Sequence, residues 1–425
     1  MASQSSDDKI NTFLNIETVN DDFFNEIVER KMKITRDKFK IRLVFIMPAT
    51  GKNENYVSVV YRAKISVELL ETNEKVFVNA IIKALITTIP ELKEFGVFPR
   101  ERYMFEEIIE SFEDIWRDVG GETVIFGPGC LAIHSDPYEI IVLDDLKAEG
   151  FEVLDRKVGV NLDQAKAVMK TLAKFHAAGA VRYQKDGMIK SILDRNLSVP
   201  RFPKDGPLGK ACKKFFDAFF DGVKDLNVSD SCVGKIARWD PTELLDASFR
   251  GCIPMKSGFT VLNHGDDWIN NMMFKLDEDG NTVDFRLLDF QMSFWGSPVA
   301  DLFYFLMSSV KDDVKVAHFD EIIAYYHEQL VEALEKLKYD KHIPTLEELK
   351  EEMMEKKELA SDGFVGIMFV CKYSSEQELN MAEMFTGQIS EEQMHLMYRN
   401  ENYLNALEAW LPFLEERGFL NKSKK

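Results

Sequence analysis

Three oxygen-bearing side chains within one segment of the chain could together handle a phosphoryl group. Asp266 closes the tripeptide His264-Gly265-Asp266, Asn271 follows five residues later, and Asp289 comes directly after a second apolar stretch. Phosphoryl transfer from ATP needs a carboxylate that orients and deprotonates the acceptor hydroxyl, together with oxygen ligands for Mg²⁺. Asp266 fits the first role, and Asn271 and Asp289 fit the second. The segment therefore predicts a site that uses ATP and Mg²⁺, with Asp266 as the catalytic base.

Two strands must bring these side chains to one place. Residues 260–263 and 284–288 are apolar enough to predict strands, and Asp266 and Asp289 follow them. Asn270 stands beside Asn271, but the spacing of five residues selects Asn271. His264 has two interpretations, either a catalytic acid or a residue whose backbone hydrogen bonds hold the loop in shape. The second is favoured, because as a catalytic acid it would be a lone histidine, and such a histidine more often hydrogen-bonds backbone.

The rest of the sequence predicts an α+β chain with a small antiparallel sheet followed by a larger, mainly helical part. Strands are predicted at 41–48, 56–69, 75–85, 122–126 and 139–143, and helices at 21–39, 100–116 and 162–180. After Asp145 most of the chain is helical in pattern. We therefore expect a helical extension over 1–40, an N-terminal lobe over 41–146 and a helical C-terminal lobe over 147–425.

Three stretches carry a resemblance to a known family. HGDDWINNMM, LLDFQ and GSPVADL resemble the motifs of the ecdysteroid kinase-like (CHK kinase-like) family, which is related to choline kinases and aminoglycoside phosphotransferases. The resemblance extends over most of the chain and implies a two-lobed, protein-kinase-like fold. In such folds the last aspartate, here Asp301, anchors the catalytic loop through backbone hydrogen bonds. His176, on the helix that precedes the catalytic loop, is expected to be a packed core residue.

The same resemblance assigns ATP-binding residues in the N-terminal lobe. The stretch from Gly51 to Ser58 is similar to the family's nucleotide loop, although more residues separate Gly51 from the Asn-Tyr pair than the family form has. Lys83 resembles the strand lysine that contacts the phosphates, and Glu101 its carboxylate partner. The adenine is expected to bind backbone near the end of the hinge strand, where the family usually has Glu in place of Asp144. The implied ATP-binding residues are Asn55, Tyr56, Ser58, Lys83, Glu101, Asp144 and Leu146.

The composition of the chain indicates which classes of binding partner and which cellular environment to expect. The chain has 425 residues and a formal net charge of -19, which disfavours binding to nucleic acid or anionic lipid. Its five cysteines are scattered without a Cys-x-x-Cys motif, as is typical of a reducing compartment. We see no hydrophobic leader and no apolar run long enough to span a bilayer. A cytoplasmic protein without a membrane span is therefore expected.

The acceptor is expected to be a small molecule rather than a peptide. Only a short stretch separates Asp289 from Asp301, which leaves little room for a peptide-docking segment, and Gln291 replaces the usual glycine. Apolar residues of the C-terminal lobe could form either ordinary helix core or an apolar pocket for the acceptor. This set comprises Phe215, Phe216, Phe219, Phe220, Phe364, Met368 and Phe369.

The predicted function is transfer of the γ-phosphate of ATP to a hydroxyl of a small apolar acceptor. The resemblance implies an ecdysteroid-like hormone or a xenobiotic alcohol, and hence a hormonal or a detoxifying role. Two alternatives remain open at this stage. One is a phosphotransferase of the choline/ethanolamine or aminoglycoside type, and the other is a non-catalytic kinase-like module that binds a ligand. Degenerate modules of that kind usually lack the base or a metal ligand, and this chain has all three residues.

Overall fold

A computed structural model of the protein describes residues 19–49, 59–84, 97–136, 139–187, 207–253, 258–373 and 389–421. The chain divides into two compact units. Unit 1 comprises Met1–Ile109 and Gly127–Glu152, and unit 2 comprises Glu110–Phe126 and Val153–Lys425. The three-part division expected from the sequence stays a prediction. Among the described residues, no helix combines the length and the apolar character needed to cross a membrane.

Unit 1 contains a five-stranded antiparallel sheet with the strand order β1-β2-β3-β5-β4. The strands are β1 (Phe39–Pro48), β2 (Val59–Leu69), β3 (Lys75–Ala84), β4 (Cys130–His134) and β5 (Ile140–Asp144). Four of them lie where the sequence predicts strands, although residues 56–58 of the second lie outside the described part. β4 was not predicted, because five residues without clear alternation give a weak signal.

One helix of unit 1 covers a face of this sheet. It is α1 (Asp21–Met32), which begins at Asn20, whose side chain accepts hydrogen bonds from the first turn. Ile27 and Val28 of α1 are fully buried against a core that includes Ile65 and Ile82. Burying each such side chain contributes about 1.5–3 kcal/mol. Because side chains alternate along a strand, the face opposite Ile82 carries the odd-numbered side chains of β3.

The connection between β3 and β4 contains the predicted helix in two parts. They are α2 (Val97–Tyr103), followed by a π-helical turn, and α3 (Ile109–Val119). The strand predicted at 122–126 is wrong. Phe126 makes only single bonds, in which its N–H donates to Glu113 and its carbonyl accepts from Leu287. A strand needs a repeated ladder of such bonds, and none of the strands that the structure describes pairs with this short run.

Unit 2 is mainly helical and contains two small antiparallel strand pairs. Its long helix α4 (Leu162–Asp186) begins with a capping box formed by Asn161 and Gln164. The further helices are α5 (Pro207–Val223), α6 (Asp230–Ile236), α7 (Pro241–Cys252), α8 (Val299–Ser308), α9 (Asp312–Lys336), α10 (Leu346–Glu355), α11 (Glu358–Gly366), α12 (Met368–Lys372), α13 (Glu391–Tyr398) and α14 (Glu401–Glu416). Together with the sheet of unit 1, they confirm the predicted α+β class.

The strands of unit 2 lie within one continuous segment. β6 (Val261–Asn263) pairs with β9 (Phe294–Gly296), and β7 (Met272–Leu276) pairs with β8 (Thr282–Leu287), both antiparallel. The sequence predicted β6 and β8 and indicated that a strand pair precedes Asp289, but it did not give the bounds of β7 or the existence of β9. These two pairs position the segment that contains the predicted chemistry.

Candidate active site

The loop between β6 and β7 holds the predicted catalytic residue, and its shape requires a glycine. Gly265 has a φ of +80°, and a Cβ atom at this position would lie 2.3 Å from the carbonyl oxygen of Met292. Only glycine tolerates both the left-handed backbone and this close approach. The chain therefore turns sharply just before Asp266.

His264 supports this turn with both of its ring nitrogens. Its Nε2 lies 2.8 Å from the carbonyl oxygen of Leu288, and its Nδ1 lies 3.3 Å from the amide nitrogen of Asp266. These contacts fit a neutral ring whose Nε2–H donates and whose Nδ1 accepts. Burial lowers the pKa of His264, against the opposing charge of Asp301. Its geometry fits a support of the loop better than a catalytic acid.

Asp301 fixes the backbone of the same loop from the first turn of α8. Its carboxylate accepts hydrogen bonds from the amide nitrogens of His264 at 2.7 Å and Gly265 at 2.9 Å. His176 Nε2 lies 3.1 Å from the same carboxylate, and the other ring nitrogen of His176 lies 2.8 Å from the Tyr326 hydroxyl. His176 is buried, as expected of a core residue, and is also part of this hydrogen-bond network.

Asp266 and Asn271 are in direct contact. The Nδ2 group of Asn271 donates to the Asp266 carboxylate at 2.8 Å and to its carbonyl oxygen at 2.9 Å. Asn271 is also adjacent to Asp289 through the β7–β8 pair, since its carbonyl oxygen accepts from the N–H of Leu288 at 2.8 Å. The Asp266 and Asn271 side chains are therefore in contact, and the backbone next to Asp289 is hydrogen-bonded to Asn271.

Asp289 has an unusual backbone conformation for an aspartate. Its φ is 61°, in the left-handed region, and Gln291 Nε2 donates to its carboxylate at 3.3 Å. Non-glycine residues adopt this region at an energetic cost and are concentrated at functional sites. The strained turn changes the direction of the chain just after β8.

The residues present fit a magnesium ion that is bound mainly through phosphates. Among the described residues there is no group of three or more His, Cys, Asp or Glu side chains that could hold a metal by itself. Mg²⁺ is usually held by one or two carboxylates together with substrate phosphates and water. Because the Asn271 amide nitrogen faces Asp266, the amide turns its oxygen away from Asp266. The Asn271 amide oxygen and the Asp289 carboxylate are the donor types that would hold such an ion.

Two residues next to Asp266 were not predicted from the sequence. The Tyr304 hydroxyl donates to the Asp266 carboxylate at 2.6 Å. It lies three residues after Asp301, so a search of the same helix face could have found it. Asp267 is fully buried, and neither of its carboxylate oxygens has a hydrogen-bond partner among the described residues. Burial, followed by the nearby charges of Asp301 and Asp266, raises the pKa of Asp267 well above its ordinary value.

In unit 1, Lys83 and Glu101 form the ion pair that the resemblance implies. Lys83 Nζ lies 2.6 Å from the Glu101 carboxylate, and the two side chains are only 10% and 1% exposed. Lys83 and Ile81 are two residues apart in β3, so both side chains lie on the face of the sheet that α1 does not cover. Asn55, Tyr56 and Ser58 lie outside the described residues, and the nucleotide loop therefore stays a prediction.

The end of β5 is held by the N-terminal helix. Lys31 Nζ of α1 lies 2.7 Å from the Asp144 carboxylate and 2.8 Å from that of Glu149. Burial raises the pKa of the Asp144 carboxyl, and the Lys31 ion pair opposes this change. The N–H of Asp144 donates to the Gly129 carbonyl at 2.9 Å. Leu146 is buried and opens a short 3₁₀ turn. The adenine-binding role of these two residues stays a prediction, and the Asp144 N–H is already used within unit 1.

The aromatic residues considered for the acceptor pocket pack on one another. Phe219 contacts Phe364, and Phe369 contacts both Phe215 and Tyr398, with ring centroids between 4.5 and 5.9 Å apart. Phe364 and Phe369 are fully buried. This packing is that of an ordinary helix core, and the apolar acceptor pocket stays a prediction.

Similarity to known proteins was found at the level of a family and of solved structures. A Plasmodium vivax ethanolamine kinase is 12% identical, covering 98% of this chain and 97% of that chain, with a TM-score of 0.44. An amicoumacin kinase in complex with AMP-PNP, Ca²⁺ and Ami is 11% identical, covering 89% and 92%, with a TM-score of 0.36. No curated protein is significantly similar to the chain.

The family profile gives the most specific match. The profile of the ecdysteroid kinase-like family matches residues 52–339, which is more than half of the chain. The matched range includes the whole segment from β6 to α8 and the Lys83–Glu101 pair. With the antiparallel sheet of unit 1 and the helices of unit 2, the match confirms the predicted two-lobed, protein-kinase-like α+β fold. The chain is therefore a member of the ecdysteroid kinase-like family.

Proposed function

We propose that the protein is an ATP-dependent kinase that transfers the γ-phosphoryl group to a hydroxyl of a small molecule. The observation that carries the proposal is the Asp266 carboxylate, which is held by the amide of Asn271 in the same region as Asp289. A fixed carboxylate beside two further oxygen donors is the arrangement that phosphoryl transfer requires. Membership of the ecdysteroid kinase-like family supports the same reaction class.

Each proposed site residue of unit 2 has a defined role in this reaction. Asp266 accepts the proton of the acceptor hydroxyl as its oxygen bonds to the γ-phosphorus, and ADP leaves with the electrons of the broken bond. Asn271 and Asp289 would hold Mg²⁺, which when bound neutralises charge on the phosphates. His264 and Asp301 keep the loop in shape, because they bind the backbone on both sides of the turn at Gly265.

The residues of unit 1 bind the nucleotide in the proposal. Lys83 would bind the phosphates, and Glu101 keeps its ammonium group charged and oriented, since an unpaired buried lysine tends to lose its proton. Ile81 lies on the same face of β3 and offers an apolar surface to the adenine ring. Because the N–H of Asp144 is bound to Gly129, we expect the Asp144 carbonyl and the Leu146 backbone to hydrogen-bond the adenine.

The proposed acceptor is a small, largely apolar alcohol, of the ecdysteroid or xenobiotic class. Only eleven residues stand between Asp289 and Asp301, and they are occupied by a 3₁₀ turn, β9 and the start of α8. This leaves no extended segment on which a peptide could dock in the manner of a protein-kinase substrate. The choice of a small molecule rests on this short connection.

Transfer of phosphate from labelled Mg-ATP to a metabolite extract and to a library of steroids and phenols tests the proposal. Mass spectrometry would identify each compound that gains a phosphate. We expect the Asp266→Asn variant to turn over about a hundredfold more slowly or worse, while it still binds ATP, because it lacks only the base. Isothermal titration with a non-hydrolysable ATP analogue would verify the retained binding.

Two outcomes would reject the proposal. If the wild-type protein transfers no phosphate and does not even hydrolyse ATP slowly, the chain is a ligand-binding module rather than a kinase. If the Asp266→Asn variant turns over as fast as the wild type, Asp266 is not the base and the assignment of the site is wrong.

A further inference from the structure

The carboxylate of Asp266 is held on both of its oxygens by groups from different elements. Tyr304 of α8 donates its hydroxyl to Oδ1 at 2.6 Å, and Asn271 donates its amide to Oδ2 at 2.8 Å. Rotation of the carboxylate about its Cβ–Cγ bond would break at least one of these bonds. The two donors therefore fix the plane of the carboxylate.

The helix that supplies Tyr304 also fixes the backbone ahead of Asp266. Asp301, three residues earlier in α8, binds the amide nitrogens of His264 and Gly265. Residues three apart lie on one face of a helix. One turn of α8 therefore sets both the path of the loop and the orientation of the carboxylate that the loop carries.

Tyr304 is suited to act as a permanent donor. Burial of the hydroxyl, reinforced by the charge of Asp266, raises the pKa of Tyr304 well above its ordinary value of 10.0. The other titratable groups that affect it are Cys371 and Asp267, and both act in the same direction. The phenol therefore remains protonated throughout the pH range of an enzyme assay and donates to the carboxylate.

We propose that Tyr304 is a positioning residue for phosphoryl transfer, whose hydroxyl orients the Asp266 carboxylate towards the acceptor hydroxyl. The inference rests on the proposed function for its kinetic consequence. A carboxylate that rotates spends less time in the geometry that accepts the proton, which lowers the rate of the chemical step. Binding of ATP and of the acceptor should change little, because Tyr304 acts through Asp266.

Kinetics of the Tyr304→Phe variant test this role. The substitution removes only the hydroxyl, and a hydrogen bond to a charged group corresponds to about a tenfold effect on the rate. We expect kcat to fall about tenfold, with KM for ATP and acceptor within about twofold of wild type. Tyr403→Phe is the matched control, because it removes another buried hydroxyl, bound to the Phe364 carbonyl at 2.8 Å, and should leave kcat unchanged.

A double-mutant cycle separates positioning from a general structural effect. If Tyr304 acts through Asp266, Tyr304→Phe should have no further effect on the residual rate of an Asp266→Ala variant. The same cycle measured by urea unfolding should show a coupling between the two residues. The unfolding cycle does not depend on catalysis, so it tests the hydrogen bond even if the protein transfers no phosphate.

The outcomes that would overturn the inference differ from those that would reject the kinase assignment. An active wild type with an unchanged kcat in Tyr304→Phe would overturn the positioning role alone. Additive effects in the unfolding cycle would show that the hydroxyl does not hold Asp266. Detection of phosphate on Tyr304 after incubation with Mg-ATP would also overturn it, because the hydroxyl would then be an acceptor.

Discussion

The catalytic segment of unit 2 and the lysine pair of unit 1 are held in place by different forces. In unit 2, Asp301 accepts hydrogen bonds from two backbone amides and contacts a histidine, so several hydrogen bonds together hold the loop. In unit 1, Lys83 and Glu101 are both buried and form an ion pair with each other at 2.6 Å. The first arrangement is a network around one turn of chain, and the second is a pair of opposite charges.

The difference predicts how each region responds to the loss of one group. A network retains most of its bonds when a single acceptor is weakened, because the remaining partners still hold the loop. When one member of a buried ion pair is removed, the remaining charge loses its ion-pair partner but keeps the cost of its desolvation. We therefore expect a single substitution in the buried Lys83–Glu101 pair to be more damaging than one in the Asp301 network.

The largest effect is expected for Glu101→Leu, which leaves the ammonium group of Lys83 without its carboxylate. Removing one partner of a buried ion pair costs about 3–5 kcal/mol. All five tryptophans lie in unit 2, so the change should be followed by hydrogen exchange of the β3 amides. The control is the double variant Lys83→Met/Glu101→Leu, which should regain much of the lost stability. A single variant as stable as the double one would contradict the comparison.

A smaller effect is expected for Asp301→Asn in unit 2. The asparagine keeps one acceptor oxygen, but its NH₂ group replaces the other and faces a backbone N–H. Leaving this backbone N–H without an acceptor costs about 2–3 kcal/mol. Tryptophan fluorescence during urea unfolding reports on unit 2 and would measure the loss. We also expect a lower kcat, since the turn before Asp266 becomes less well fixed. A destabilisation greater than that of Glu101→Leu would reverse the proposed ranking.

Substitution of Asp267 should stabilise the protein, unlike the two substitutions above. Asp267 is a buried carboxyl with no hydrogen-bond partner among the described residues. Its pKa is raised in the folded chain, so the unfolded chain releases a proton that the folded chain keeps. Its effect on stability is therefore most favourable below the unfolded pKa and becomes less favourable as the pH rises above that value. We expect Asp267→Asn to stabilise the protein by about 1–2 kcal/mol at pH 8 and less at pH 5.

Asp277→Asn is the matched control for this pH dependence. Asp277 is exposed, and hydrogen bonds, first from the Asn281 side chain, lower its pKa. Its contribution is present above the unfolded pKa and is lost as the pH falls, which is opposite in sign to that of Asp267. Urea unfolding at several pH values compares the two variants. Equal stability of Asp267→Asn and wild type at every pH would show that the buried carboxyl carries no penalty.

The smallest effect is expected for Lys31→Met, which removes the ion pairs of α1 with Asp144 and Glu149. Partly exposed pairs of this kind contribute less than about 1 kcal/mol. The variant should weaken ATP binding slightly at low salt and less at high salt, because screening already weakens the pairs. Lys38→Met breaks the exposed pair with Glu71 and should not change ATP binding. An identical effect of both variants would show that the ion pairs of Lys31 do not support ATP binding through Asp144.

Sequence reasoning succeeded where the signal is local. The spacing of Asp266, Asn271 and Asp289 identified the segment from β6 to α8, in which Asn271 contacts Asp266, and the roles of the three residues stay a prediction. Three strands of unit 1 follow alternation that a short window can detect, whereas β4 and β9 are too short for it. The strand predicted at 122–126 failed because strand formation depends on a partner that the segment itself does not contain.

The sequence by itself determined the family, the α+β class and the order of the residues proposed for chemistry, because each depends on residue types at short spacings. Only the tertiary structure decided that Tyr304 holds Asp266, that His176 reaches Asp301 and that Asp267 is buried with no hydrogen-bond partner for its carboxylate among the described residues. These relations join residues on different elements or depend on burial. Hydrogen bonds of this kind form only once packing has brought distant parts of the chain within about 3 Å.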